Sequence, residues 1–255
     1  MKKIFLLFLL VPGHLIAQDS IYGNFVLSVN SFIFQNKEPV MNGQANKCIG
    51  FTMEAGWEGI RIDNVHHLVV ALGASRPKSD YEPVHFSVLA NLEFRYEYLT
   101  RIRQTVLSQF FLGGMASIHY RMGYYPLWDD SHPYWATSYS AGVALRFENK
   151  FKDATSWFTS FNMPLIGLIS RPPLERQYKI DNPDISNILK MNHNEMELAT
   201  LNRYADLILK TGFKLYHSTR YANEFYFLFN FLSLNTSYSK PYREIQIGAG
   251  ITFIL

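Results

Sequence analysis

The stretch Glu244-Ile245-Gln246-Ile247-Gly248-Ala249-Gly250-Ile251-Thr252-Phe253-Ile254-Leu255 decides the fold. Successive side chains of an extended chain point to opposite faces, so Ile245, Ile247, Ala249, Ile251, Phe253 and Leu255 share one side. Glu244, Gln246, Gly248, Gly250 and Thr252 share the other. An apolar row on one face and a polar or bare row on the other is the pattern of a strand whose outer side meets lipid and whose inner side lines a barrel.

Working upstream from this strand, a period of two recurs nine more times, over Ser20 to Phe34, Asn46 to Trp57, Ile62 to Ala74, Val84 to Tyr98, Arg101 to Met122, Ser138 to Glu148, Thr155 to Ile169, Tyr204 to His217 and Phe225 to Phe231. Val84, Phe86, Val88, Ala90, Leu92, Phe94, Tyr96 and Tyr98 make one unbroken apolar row, longer than a soluble strand needs. Phe225, Phe227, Phe229 and Phe231 make another, and Ile102, Val106, Phe110 and Leu112 are read as the start of the fifth. A soluble sandwich has the same period, but its outward rows are broken by Lys, Glu and Thr. The connections alternate: short after the second, fourth, sixth and eighth segments, longer or richer in breakers after the odd ones. The expectation is an all-β, antiparallel, up-and-down transmembrane barrel of about ten strands (8–12), its first strand pairing with its last and both termini in the periplasm. Within the longest connection, Pro183 to Leu201 is read as a short helix, with Ile185, Ile188, Leu189 and Met196 at roughly helical spacing.

The N-terminus supports export. Lys2 and Lys3, the apolar run Ile4 to Val11 and small Ala17 form a secretory signal, with cleavage expected near Ala17 and residues 18–255 as one barrel domain. No later apolar run reaches the length of a spanning helix. The aromatic share of 16%, from 20 Phe, 16 Tyr and 4 Trp, suits a lipid-facing surface with interfacial girdles. A single cysteine, Cys48, excludes an intrachain disulfide framework, and a net charge of +3 gives no footing for a nucleic-acid partner.

The inward rows carry charge: Glu54, Glu93, Glu97, Glu148, Asp206 and Glu244 against Arg95, Arg101, Arg103, Arg121, Arg146, Lys210 and Lys214. Near-balance in a narrow interior implies mutual pairing, because isolated charges there are costly to desolvate. The candidate nucleophile and base pairs are Ser117 with His119, and His85 with Ser87, each two apart on an inward face. His66 and His67 fall on opposite faces and cannot share a metal. The aromatic loop carrying Tyr124, Tyr125 and Trp128 is a candidate binding surface.

Gln246, Gly248, Ile251, Phe253 and a terminal hydrophobe resemble the C-terminal assembly signal of outer-membrane barrels, with Leu255 standing where that pattern favours an aromatic residue. The Phe-rich, Asn-rich composition resembles the small outer-membrane barrels of Bacteroidetes-type bacteria, over the whole mature chain and without a specific motif. The resemblance implies a porin-like protein of a Gram-negative outer membrane, in contact with its lipid and recognised by the barrel-assembly machinery through the last strand. The expected protein is a monomer without cofactor or metal, open to an extracellular ligand at its long loops. Its expected role is structural, surface-binding or that of a narrow channel. The alternative is a barrel-embedded hydrolase of lipids or esters with a Ser/His pair.

Overall fold

A computed structural model describes residues 22–37, 45–78, 88–124, 134–152, 154–172, 185–194, 196–218, 221–239 and 241–255. The strands are β1 (Tyr22–Lys37), β2 (Ala45–Ile60), β3 (Asn64–Lys78), β4 (Val88–Gln104), β5 (Ser108–Tyr124), β6 (Tyr134–Lys152), β7 (Thr155–Ser170), β8 (Glu197–Thr200), β9 (Tyr204–Tyr216), β10 (Ala222–Leu234) and β11 (Tyr242–Ile254). One helix, α1 (Ile185–Asn194), precedes β8. No described helix is long and apolar enough to cross a membrane.

Ten long strands close an antiparallel barrel in which each pairs with its neighbours, β7 passes to β9, and β11 pairs with β1 from Val26 opposite Ile254 to Lys37 opposite Arg243. The predicted closure of first strand on last is thus observed. Following the register from Thr155 through Leu215, Asn223, Phe253, Leu27, Ala55, Val70, Phe94, Ile118 and Tyr139 returns to β7 at Leu168. The return lies 13 residues (168 minus 155) toward the long-connection end, one of them the bulged residue beside Pro164. A stagger of that size over ten strands tilts them by about 40°.

The burial pattern is inverted relative to a soluble domain. Ile33, Ile49, Met53, Phe227 and Ile247 are exposed, whereas Ser28, Asn30, Asn230, Glu244, Gln246 and Thr252 are buried. Apolar groups gain by leaving water, so this outer face needs an apolar medium around it.

Two expectations about the chain path are corrected. Residues 101–104 belong to β4, and the turn sits at Thr105–Leu107, where Thr105 N–H donates to the Ser108 carbonyl at 2.8 Å and Ser108 N–H to Thr105 Oγ1 at 2.9 Å. Val106, read as an outward strand residue, is therefore at the tip of that turn and almost fully exposed. The helix is also shorter than predicted. It stops at Asn194, and Glu197–Thr200 extends as β8 to pair with Ile166–Ile169 of β7, where backbone pairing along an open strand edge displaces helical spacing.

Helix α1 packs against the barrel wall on the face opposite the lumen. His193 Nε2 lies 2.6 Å from the Tyr139 hydroxyl and 3.3 Å from that of Tyr120. Nearby, Trp135 is fully buried and donates its indole N–H to Ser170 Oγ at 3.1 Å.

Candidate functional site in the barrel lumen

The inward rows fill the lumen in three layers. Nearest the long connections, Phe32, Phe34, Cys48, Leu89, Tyr134, Ile169, Tyr204, Leu232, Leu234 and Tyr242 belong to one buried apolar cluster. The fully buried Arg171 guanidinium lies 5.8 Å from the Tyr134 ring centre and 5.3 Å from that of Tyr242. These rings are on strands far apart in sequence, and only the closed barrel stacks them under the mouth.

Beneath this plug lies a polar layer. Arg121 donates to Glu244, which also accepts the Tyr242 hydroxyl, and Arg121 reaches Tyr242 at 3.4 Å. His119 is held through Nε2 by the Asn91 side-chain oxygen, and its Nδ1 faces Asp206 at 3.9 Å. Ser117 and Ser140 share a hydrogen bond of 2.8 Å, and Tyr204 donates to Ser138 at 3.2 Å.

The third layer is ionic. Arg95 bridges Glu93 at 2.7 Å and Glu97 at 3.0 Å, and Glu97 also accepts from Asn162 and faces His67 at 3.6 Å. Lys210 pairs with Glu54 at 3.1 Å. Arg146 gathers Glu58, Glu148 and Glu224, the last shared with Lys214. A small cavity of about 50 Å³, partly continuous with solvent, is bounded by these groups together with Phe158, Tyr226 and Ile254. It is roomy and polar enough for ordered water.

Of the sequence-predicted lumen residues, Glu54, Glu93, Arg95, Glu97, Arg121, Arg146, Asp206, Lys210, Lys214 and Glu244 line the interior. Arg101 and Arg103 do not join them. Arg101 keeps the inward phase of Leu99 but stands at the short-turn rim, where it pairs with Asp63 in the β2–β3 turn at 2.6 Å, and the bulge after it turns Arg103 to an exposed outward position. Two interior carboxylates lie one step beyond the segments read from sequence: Glu58 follows Trp57 in phase with Glu54, and Glu224 precedes Phe225 on the face opposite the Phe225 row. His67, on the inward face of β3, meets Glu97.

The consequence is a changed balance. Among the described residues the lumen holds eight carboxylates (Glu54, Glu58, Glu93, Glu97, Glu148, Asp206, Glu224, Glu244) and six Arg or Lys (Arg95, Arg121, Arg146, Arg171, Lys210, Lys214). The near-balance expected from sequence becomes an acidic excess, offset in part by His67 and His119 beside carboxylates.

The Ser117 and His119 pair does not assemble into a nucleophile and base. Both ring nitrogens of His119 are turned to Asn91 and Asp206, and the Ser117 hydroxyl is turned to Ser140. A general base must reach the proton it removes, and none of the hydrogen bonds of His119 goes to a serine. His85, Ser87, Tyr125, Trp128 and the side chain of Tyr124 lie outside the described residues. His66 and His67 do fall on opposite faces, His66 meeting the Tyr96 hydroxyl at 2.8 Å. No cluster suited to a metal ion occurs among the described residues.

The sequence matches no protein-family model and no curated protein. Solved bacterial outer-membrane barrels align with most of this chain at low identity. The outer membrane protease OmpT from Escherichia coli aligns at 8% identity and a TM-score of 0.48, covering 91% of this chain and 96% of that one. The translocator domain of the autotransporter NalP from Neisseria meningitidis aligns at 7% and 0.43, covering 94% and 91%. Neisserial surface protein A aligns at 10% and 0.36, covering 89% and 95%. Protease, translocator and surface protein are different roles, and each likeness is one of fold alone.

Proposed function

We propose that this chain is a filled outer-membrane barrel that works as a structural or surface-binding protein, not as a conduit. The observation that carries the reading is the stacking of the apolar cluster around Tyr134, Tyr242 and Arg171 on the paired layer of Arg121, Glu244 and Asp206. A solute path through that section would have to separate buried ions from their partners, which is strongly unfavourable. The exposed apolar outer face supports residence in the outer membrane of a Gram-negative bacterium. The N-terminal signal with cleavage near Ala17 and the closing strand offered to the assembly machinery fit the same placement, with both termini periplasmic, the long connections extracellular and the barrel monomeric.

Planar-bilayer recording on refolded, heat-modifiable protein tests this. The expected result is no steady conductance from the wild type, and conductance from a variant with Tyr134→Ala, Tyr242→Ala and Arg171→Ala together. Sustained ohmic current from the wild type would overturn the filled-barrel reading. The engagement of His119 with Asn91 and Asp206 speaks against the hydrolase alternative.

A further inference from the structure

The outer face is apolar around most of the barrel, but on four adjacent strands it ends in polar residues, three of them cations. Just beyond Ile245 on β11 stands Arg243, beyond Ile33 on β1 stands Gln35, beyond Ile49 on β2 stands Lys47, and beyond Ala74 on β3 stands Arg76. All four are exposed. In the ladder Arg243 sits opposite Lys37, and Lys47 sits opposite both Gln35 and Lys78. The register climbs toward the long-connection end from β11 to β3, and with strands tilted about 40° the positions of Arg243, Lys47 and Arg76 come to nearly one height.

The arrangement is one-sided. At the other edge of the same strands the outward residues are Leu255, Phe25, Trp57 and His66, and the one described cation beside them is Arg61 in the β2–β3 turn. Among the described residues of these four strands no carboxylate faces outward, because Glu54, Glu58 and Glu244 all turn to the lumen. None of the ion pairs among the described residues holds Lys47 or Arg243.

We propose that this rim binds the phosphate groups of an anionic lipid in the outer leaflet. The site lies where the apolar wall ends, at the depth of headgroups, and charge complementarity selects a lipid whose acyl chains lie along Ile33, Ile49, Ile245 and Ile247 while its phosphates meet Lys47 and Arg243. The inference rests on the outer-membrane reading above.

The test reconstitutes the full mature chain in phosphatidylcholine vesicles doped with a diphosphorylated glycolipid, and measures by native mass spectrometry which lipid stays bound after extraction. Each cation near an anionic surface contributes about fivefold, so Lys47→Gln with Arg243→Gln should lower the preference for the phosphorylated lipid by about 25-fold. Lys150→Gln with Lys152→Gln, at the opposite end of β6, should leave it unchanged. An unchanged preference in the first double variant overturns the site, and so does an equal loss in the second. Protection of the fold by inorganic phosphate alone, with no lipid preference, also overturns it. Failure to give a heat-modifiable band in any vesicle overturns the membrane reading itself, and is distinguishable because no lipid ratio is then obtained.

Discussion

The Arg121 and Glu244 pair offers the sharpest test of a closed lumen. Both side chains are nearly excluded from solvent, at 5% and 2% exposure. Arg121→Met preserves much of the apolar stem and leaves Glu244 buried with only the Tyr242 hydroxyl for company. Removing one partner of a buried ion pair costs about 3 to 5 kcal/mol, because the remaining charge has lost both its attraction and its water. The retained Tyr242 bond holds the expected loss near the lower bound, about 3 kcal/mol.

Glu244→Gln keeps an acceptor for Tyr242 and Arg121 and removes the charge, so it should cost less, about 1 to 3 kcal/mol. The double variant leaves neither charge stranded and should fall within about 1 kcal/mol of wild type, far from the sum of the single losses. Urea unfolding in vesicles, followed by tryptophan fluorescence, measures all three. If Arg121→Met cost less than about 1 kcal/mol and the effects added, the pair would be behaving as a solvated one, and the premise that this section is dry would fail.

Three other outcomes are expected. Phe229→Arg, in the middle of the outward row of β10, should destabilise the vesicle-bound protein by about 2 to 4 kcal/mol, and Ile245→Arg near the rim by at most about 1; equal costs would contradict a lipid-facing wall. Gly212→Ala should fold poorly, with much of the sample lacking heat-modifiable migration, since its added methyl would press on the Phe225 carbonyl and Tyr226 backbone of the paired strand. Glu197 is raised by partial burial, but the Ser237 hydroxyl and amide and Arg203 outweigh that and hold it below the ordinary carboxylate value of 4.5. A depressed folded value means stabilisation present above the unfolded pKa and lost as pH falls through the folded one. The difference in melting temperature between wild type and Glu197→Gln should therefore persist at pH 7 and vanish well below 4.5; a difference unchanged in acid would exclude this linkage.

The inside-out alternation of Glu244 to Leu255 was legible because facing is a local property: in an extended chain, parity alone assigns each side chain to a side. The same parity assigned Asp206, Lys210 and Lys214 to the lumen, and it could have recovered Glu58 and Glu224 had the strand ends been drawn one step further. Parity fails where the ladder slips, and the bulge after Arg101 turned Arg103 out of the interior for that reason, whereas Arg101 keeps its phase and is drawn to Asp63 because the strand ends there at the rim.

The sequence by itself determined the outward and inward rows, the alternation of short and long connections and the strand that closes the sheet. Only the tertiary structure decided which charges meet: Arg121 with Glu244, Lys210 with Glu54, and His119 with Asp206. It also decided that Arg171 lies between two tyrosines and that Lys47, Arg76 and Arg243 reach one height. Those meetings depend on stagger and tilt, which are properties of the closed ring of strands and of no single strand.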